Sequence, residues 1–309
     1  LGSDVNGNYS VAIGDATLSA QNFTTSTTAY NVAVGYQAGT SVTTGVSNVL
    51  IGALAGDALT DADSNVVVGK NALAADTLGS RSIAIGQGAL FAQNFTTATN
   101  SYNVAIGFEA GVAITTGNQN TLIGGLSGDG ITTGGGNTII GYDNAAPAVG
   151  NNFSIIMGTG VTGVGGDNFT FGRGTLDSNI AFGGTSITAP SDERYKESIA
   201  DSTAGLSFIN DLRPVTFQWK KEKDIPSDHR AYVEGSDNRV MNNYTNHGFI
   251  AQEVKAAIDN HEELKDGFDM WSEDPIDGRQ RLGPASLIPM LVKAIQELSA
   301  EIEKLKSGG

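Results

Sequence analysis

The chain has no cysteine, so neither a disulfide framework nor a thiolate metal site can hold it together. It also lacks any run of 18 or more apolar residues and any basic-then-apolar leader, which argues against membrane insertion. Cations are few: 18 Lys and Arg face 33 Asp and Glu, a formal charge of −15, the wrong balance for a nucleic-acid groove. The three histidines, His229, His247 and His261, are too scattered for a triad or a metal site, and nothing in the sequence calls for a cofactor or metal. Charge is scarcest at one end, since only 14 of the charged residues precede Ser191 while 33 of the 41 glycines do. The two parts obey different rules, and the boundary falls between Asn179 and Ser191. Leu1 in place of Met points to a processed chain or a piece of a longer one.

What is present is a repeat. Asn-x-x-x-Gly units with apolar interiors recur at 31–35, 48–52, 65–69, 103–107, 120–124 and 137–141, and Ser takes the Asn place at Ser10, Ser82 and Ser154. The unit glycines from Gly14 to Gly158 are 21, 17, 17, 17, 21, 17, 17 and 17 residues apart, so the pattern duplicates at 72 residues. One short β-branched run per fixed period marks a β-solenoid or β-roll, whose rungs are stable only against their neighbours. The unit glycine admits a positive φ or a close backbone approach at each corner, and the Asn is expected to bond its own backbone at the preceding turn.

After Gly158 the spacing shortens, at 168–172 and 179–183, and larger apolar residues enter, which reads as a tapering neck. Two decoys lie in the repeat. The stretch Gly158 to Gly163 spells a dinucleotide fingerprint, but no helix can follow it in so glycine-rich a region. Asp57, Asp61 and Asp63 lack the spacing and terminal Glu of a calcium loop and read as a solvated turn. The units resemble the head repeats of trimeric autotransporter adhesins, best at 10–14, 31–35, 82–86 and 103–107. That resemblance implies a β-roll, although the 17- and 21-residue spacings depart from the shorter common period.

Ordinary globular signals return in the last 119 residues. A helix is expected over Ser202 to Leu212, a strand over Val215 to Trp219 after Pro214, then a strand at His247 to Ile250 and a helix from Ala251 to Ile258. Residues 220–246 are polar and irregular, as a loop or arm would be. From Leu287 the spacing is heptad: Ile288, Leu291, Ile295, Leu298, Ile302 and Leu305 step by threes and fours. Pro289 is tolerable only in a first turn, which places the helix start close by. Ile and Leu mixed over both seam positions favour a coiled coil of more than two strands; a helix packed on its own domain is the alternative.

Four blocks then carry a second resemblance: Ser191 to Ile199, Leu212 to Trp219, Gly248 to Val254 and Leu287 to Leu298, in that order. They are similar to the endosialidase-type C-terminal intramolecular chaperone domain, found at the end of phage tailspikes and tail fibres and in some membrane-tethered proteins. The resemblance implies that this part trimerises, guides the preceding β-structure into register and then releases itself by serine autoproteolysis. In the family's motif a Ser and the Lys five positions on form the dyad, which falls here on Ser191 and Lys196, with the scissile bond at Pro190–Ser191. Asp192 and Arg194 are candidate supports, with a capping or ion-pair role at a helix start as the alternative. A lysine at the ordinary pKa of ~10.4 is neutral in about 1 of 2,500 molecules at pH 7. A lysine base therefore needs burial, which folding and trimer packing would have to supply.

The expected fold is thus mainly β and trimeric. A glycine-rich β-roll spans 1–178, a neck and cleavage junction 179–190, a small α/β chaperone domain 191–283 and a coiled-coil helix 284–309. The expected partners are two further copies of the chain, a host cell-surface receptor such as a glycan for the fibre, and virion proteins upstream; nucleic acid and membrane insertion are excluded. The expected setting is a virion tail fibre, with an extracellular or bacterial-surface location as the alternative. A bacterial trimeric adhesin stays open, to be told apart by an upstream signal or anchor. So does a tailspike polysaccharide depolymerase, although glycan hydrolysis needs paired carboxylates across a groove and the repeat's acids are scattered.

Overall fold

The computed structural model describes Asp4 and residues 6–308; Leu1, on which the processing expectation rests, lies outside them. The chain divides into two compact units, Leu1–Tyr195 and Lys196–Gly309.

The first unit is a β-solenoid. Ten short strands, from Val11–Ile13 to Asn168–Arg173, join in chain order into one parallel sheet, and an antiparallel strand, Leu176–Ala181, closes it as the eleventh. Pairing follows the glycine spacing: Val32 lies beside Val49, Val49 beside Val66, and, across a 21-residue rung, Ile83 beside Val104. Each three-residue strand turns its middle residue inward and its flanking residues outward, the alternation a pleat dictates. Ala33, Leu50, Val67, Ala84, Ala105 and Leu122 are accordingly fully buried. The unit glycine is needed twice over. Gly35 sits at φ +139, and a Cβ there would lie 2.5 Å from the carbonyl oxygen of Gly52 in the next rung.

The core mixes large and small residues, and glycine makes room where leucines of neighbouring rungs meet. Gly39 lies between Leu18 and Leu50, and 72 residues on Gly111 lies between Leu90 and Leu122. A side chain at either glycine would meet leucine methyl groups at 2.5–2.6 Å. The long rungs spend their extra residues on a second short parallel pair, Gly79–Ser80 beside Thr99–Asn100.

The repeated asparagines correct the expectation drawn from the sequence. They are fully buried and bond between rungs rather than to their own turn. Asn48 Oδ1 accepts the backbone N–H of Asn65 at 2.9 Å, and Asn48 Nδ2 donates to the Ala62 carbonyl at 2.7 Å. The same pair of bonds recurs at Asn31, Asn65, Asn103, Asn120 and Asn137. The reason is the residue before each Asn, which adopts a left-handed conformation (Tyr30 φ 51, Ser47 φ 59, Ser64 φ 61) and so directs the amide into the solenoid.

Where Ser82 replaces Asn, a different set of groups fills the gap. Gln93 Oε1 accepts from Asn103 Nδ2 at 2.8 Å, while Gln93 Nε2 donates to Ser82 Oγ at 2.9 Å and to Asp76 Oδ2 at 2.5 Å. Asp76 Oδ1 accepts two backbone N–H groups, of Gly79 and Phe95, both at 3.0 Å. Burial pushes the Asp76 carboxyl above the ordinary value of 3.8, and these hydrogen bonds offset only part of that. An acid whose folded pKa is raised binds protons more tightly in the native state, so its contribution to stability falls as pH rises from the ordinary value through the raised one. Measured by thermal unfolding across acid pH, the wild type is expected to lose stability relative to Asp76→Ala over that interval as pH increases.

Asp61 and Asp63 do not converge with Asp57 on a cation site. Their carboxylates accept from Thr44 Oγ1 (2.6 Å) and from the Val46 N–H (2.8 Å) of the preceding rung. Gly158 to Gly163 begins at the end of the strand Ser154–Thr159, with no helix after it.

The second unit holds three helices, α1 (Leu206–Asp211), α2 (Ala251–Asp259) and α3 (Leu287–Ser307), and two small antiparallel strand pairs. Val215–Phe217 pairs antiparallel with Asn246–Gly248, and Trp271–Glu273 with Gln280–Leu282. Its core holds Phe208, Val254, Ile258, Leu264, Met270 and Leu287. The first helix begins later than the sequence suggested because Glu297 of α3 accepts the Leu206 N–H at 2.7 Å, setting the helix start just after Gly205. His261 is buried, with Nε2 2.8 Å from Asp211 Oδ2 and its ring edge-on to Phe208, so it ties α1 to the end of α2. Among the described residues, no helix is long and apolar enough to cross a membrane.

Candidate functional site

The segment that leads to Ser191 is held and then released. Asn179 and Thr188 exchange two backbone hydrogen bonds of 2.8 Å, and beyond this bridge Ala189 and Pro190 run exposed. All residues from Ala181 to Ser191 are exposed. A peptide bond in such a stretch is open to attack, and Pro190, lacking an N–H, forms no ladder that would protect it.

Past Ser191 the chain makes one 3-10 turn, Glu193–Tyr195. Asp192 and Arg194 build it together: the Asp192 carboxylate accepts the Arg194 N–H at 2.9 Å and meets the guanidinium at 2.6–3.1 Å, while its carbonyl accepts the Tyr195 N–H at 3.1 Å. The hydrogen bonds from Arg194 hold the Asp192 carboxyl below its ordinary value. These two residues therefore shape the turn between Ser191 and Lys196. Pro190, Ser191, Tyr195 and Lys196 are all exposed in the single chain. Folding of one copy thus leaves Lys196 without the dry surroundings a lysine base requires.

The heptad residues lie on the solvent side of α3. Ile288, Leu291, Ile295, Leu298, Ile302 and Leu305 are all exposed, Ile295 at 65% and Leu305 at 79%, whereas Leu287 and Ala294, which flank this row on the helix, are buried. The helix packs within its own unit through Leu287, Ala294 and Glu297, and beside that strip it presents an uncovered apolar seam.

Elsewhere in the unit Arg213 and Glu253 form a forked ion pair, with Nε to Oε2 at 2.9 Å, joining the end of α1 to α2. A cleft of about 330 Å³ lies beside α2, lined by Lys255, Lys265, Phe268 and Trp271 among others. Its cations are already engaged, Lys255 by Asp259 and Lys265 by Glu262. Among the described residues, no three His, Asp or Glu side chains gather as a metal site would require.

Sequence reasoning missed the Asn ladder and the station of Asp76, Gln93 and Ser82. A signal was present, because Gln21 and Gln93 each sit in a 21-residue rung that follows a Ser in the Asn place.

Residues 191–262 match the family model described as the chaperone of endosialidase, and the match begins on Ser191. No curated protein and no solved structure matches the chain.

Proposed function

We propose that the chain pairs a fibre-type β-solenoid with a C-terminal intramolecular chaperone, as the match of residues 191–262 to the chaperone of endosialidase supports, and that it assembles as a homotrimer and then cuts itself at Pro190–Ser191. The observation that carries this reading is the coincidence at Ser191. There the family match starts, the composition changes and the residues on either side of the bond are exposed.

The chemistry needs only these residues and water. Ser191 Oγ attacks the Pro190 carbonyl carbon while neutral Lys196 takes the hydroxyl proton. The tetrahedral intermediate collapses with the Ser191 nitrogen as leaving group, which receives that proton and becomes a free amine. Pro190 is then held as an ester on Ser191 Oγ. Water hydrolyses the ester, giving a Pro190 carboxylate and a new N-terminus at Ser191. Each chain does this once.

Assembly gates the reaction, because a single copy leaves Lys196 exposed and three copies meeting at the seam of α3 can bury it. The fibre part then faces the host surface, and its receptor is a cell-surface component such as a glycan. The setting proposed is a virion tail fibre. Removing the chaperone after assembly would leave the solenoids unable to retrace their path, a kinetic form of stability.

The gate can be tested by charging the seam. Ile295→Glu with Leu298→Glu in the full chain leaves the buried side of α3 intact, so circular dichroism should be unchanged. Light scattering should report a monomer, and denaturing gels should show it uncut. A monomer that still cleaves would break the link between assembly and chemistry.

A further inference from the structure

The last strand of the solenoid, Leu176–Ala181, lies at the end of the sheet, and its two edges serve different neighbours. In an antiparallel pair, residues alternate between those whose backbone groups point at the partner and those whose groups point away. Phe182 N–H donates to the Asp167 carbonyl at 2.7 Å, so the even-numbered residues of the strand face Asn168–Arg173. The odd-numbered Asn179 faces away, and its two backbone bonds go to Thr188. Asp177, two residues back in the same strand, therefore turns its N–H to that same open edge. Its partner Gly172 agrees with this, since a Cβ there would lie 2.6 Å from the Asp177 Cα, the close approach of a pair that exchanges no bonds.

The chain reaches this edge by a tight return. Gly184 N–H donates to the Ala181 carbonyl at 2.8 Å, with Gly183 at φ +78. Thr188 is then held by both backbone bonds and by its hydroxyl, which donates to the Asn179 carbonyl at 3.3 Å. Because Asn179 pairs with Thr188, the next such pair along the edge sets Pro190 opposite Asp177. An ordinary residue there would exchange two bonds with Asp177. Proline has no N–H, so one bond is left to it, from the Asp177 N–H to the Pro190 carbonyl oxygen. That oxygen takes the negative charge when Ser191 Oγ attacks. In the single chain the bonds stop at Thr188, with Ala189 and Pro190 exposed, so closing the pair needs the segment to follow the edge for ~7 Å more.

Resting on the autocleavage reading above, we propose that the Asp177 N–H is the donor that stabilises the oxyanion formed at Pro190. No proton moves in this contact. The bond shortens as charge builds on the oxygen and relaxes when the carbonyl re-forms as the ester, with the Ser191 nitrogen leaving. A backbone N–H fixed in a strand is oriented before the reaction, as such a donor must be. Pro190 contributes by lacking the second bond, so its carbonyl is held at the oxygen alone and the carbon stays open to Ser191.

The consequence is a second condition on cleavage. Asp177 presents its N–H to the open edge only when Leu176–Ala181 is paired along Asn168–Arg173, and that strand in turn is paired along Ser154–Thr159. A chain whose solenoid is unfinished at this end lacks the donor even where the chaperone domain has assembled. The last strand thus reports to the scissile bond that the sheet is complete.

Asp177→Pro removes the N–H and, because that N–H faces the open edge, leaves the bonds to Asn168–Arg173 in place. Asp177→Ala keeps it. A glycine inserted between Thr188 and Ala189 leaves the solenoid untouched but turns the Pro190 carbonyl away from Asp177. Full-length chains, their assembly checked by light scattering, would be followed over time on denaturing gels. Asp177→Ala should cut at the wild-type rate and the other two ~10²–10³ times more slowly, the effect of losing one such donor. The dependence of the rate on pH, which reports Lys196 as base, should be the same in Asp177→Pro as in the wild type. An assembled Asp177→Pro chain that cuts at the wild-type rate overturns the proposal, as does equal slowing in Asp177→Ala or a shifted pH profile. If Asp177→Pro does not assemble, the insertion decides alone, and wild-type cutting there overturns the donor. An assembled wild type that never cuts overturns the autocleavage reading, and the donor with it.

Discussion

Ser191→Ala and Lys196→Arg chains are expected to remain full length on denaturing gels under conditions in which the wild type separates into residues 1–190 and 191–309. The alanine removes the only atom that can form the ester. The arginine keeps the positive charge and much of the length, but a guanidinium does not give up its proton in a protein and cannot act as base. Loss of a positioned base typically slows a reaction by roughly 10² to 10⁴, enough to turn complete cleavage into none over a purification. Ser191→Cys, which retains a nucleophile, should still cut. Hydroxylamine offers a second reading of the same step, since it attacks an ester much faster than an amide and should speed separation in the wild type but not in Ser191→Ala. If Lys196→Arg cleaves at the wild-type rate, the proton goes elsewhere and the dyad is wrong, even though the chaperone domain stands. Both variants should still assemble, because neither residue belongs to the seam of α3.

Asn48→Ala is expected to be among the most damaging single changes in the solenoid. It strands the Asn65 N–H and the Ala62 carbonyl, which now meet Asn48 at 2.9 and 2.7 Å in a rung where no water reaches them. Each buried group left without a partner costs about 1–3 kcal/mol, so roughly 2–6 kcal/mol should be lost for the two. At ~2–4 °C per kcal/mol for a unit of this size, the apparent midpoint should fall by about 10 °C. The sharper test is Asn48→Ser. Serine already occupies the equivalent place at Ser10, Ser82 and Ser154, and a reading by motif would regard it as harmless. At Ser82, however, Gln93 and Ser101 reach the hydroxyl, at 2.9 and 2.5 Å, and Gln93 carries the ladder on to Asn103. Around Asn48 the residue that takes the place of Gln93 is Leu59, so the serine should cost nearly as much as the alanine. Wild-type stability in Asn48→Ser would mean that the amide ladder contributes little.

The architecture was legible because its cause is local and periodic. A glycine every 17 or 21 residues is a place where one backbone lies against the next, so the spacing of Gly14, Gly35 and Gly52 is itself the register of the sheet. The heptad from Ile288 to Leu305 was legible for the same reason; the boundary expected between Asn179 and Ser191, where charge returns, lies a few residues before the division of the two compact units at Tyr195 and Lys196. What stayed hidden depends on contacts between residues far apart in sequence. The inward turn of each Asn follows from a left-handed residue before it, which Tyr30 or Ser47 does not announce as glycine would. The start of α1 is set by Glu297, 91 residues away. The hairpin of Trp271–Glu273 with Gln280–Leu282 has strands of three residues, too short for alternation to reveal. The outward sheet face was visible as the first and last letters of each apolar triplet, but only the burial of the middle letter shows which side is left bare.

The claim at the centre of this account is that assembly comes first and cleavage follows at one bond. Freshly made wild-type protein should be separated by size, and the trimer and monomer fractions followed over time on denaturing gels with N-terminal sequencing of every new band. The account predicts a new N-terminus at Ser191 that appears in the trimer fraction alone and grows there without further addition. A trimer that stays intact, a monomer that cuts, or a new terminus at any residue other than Ser191 would contradict it.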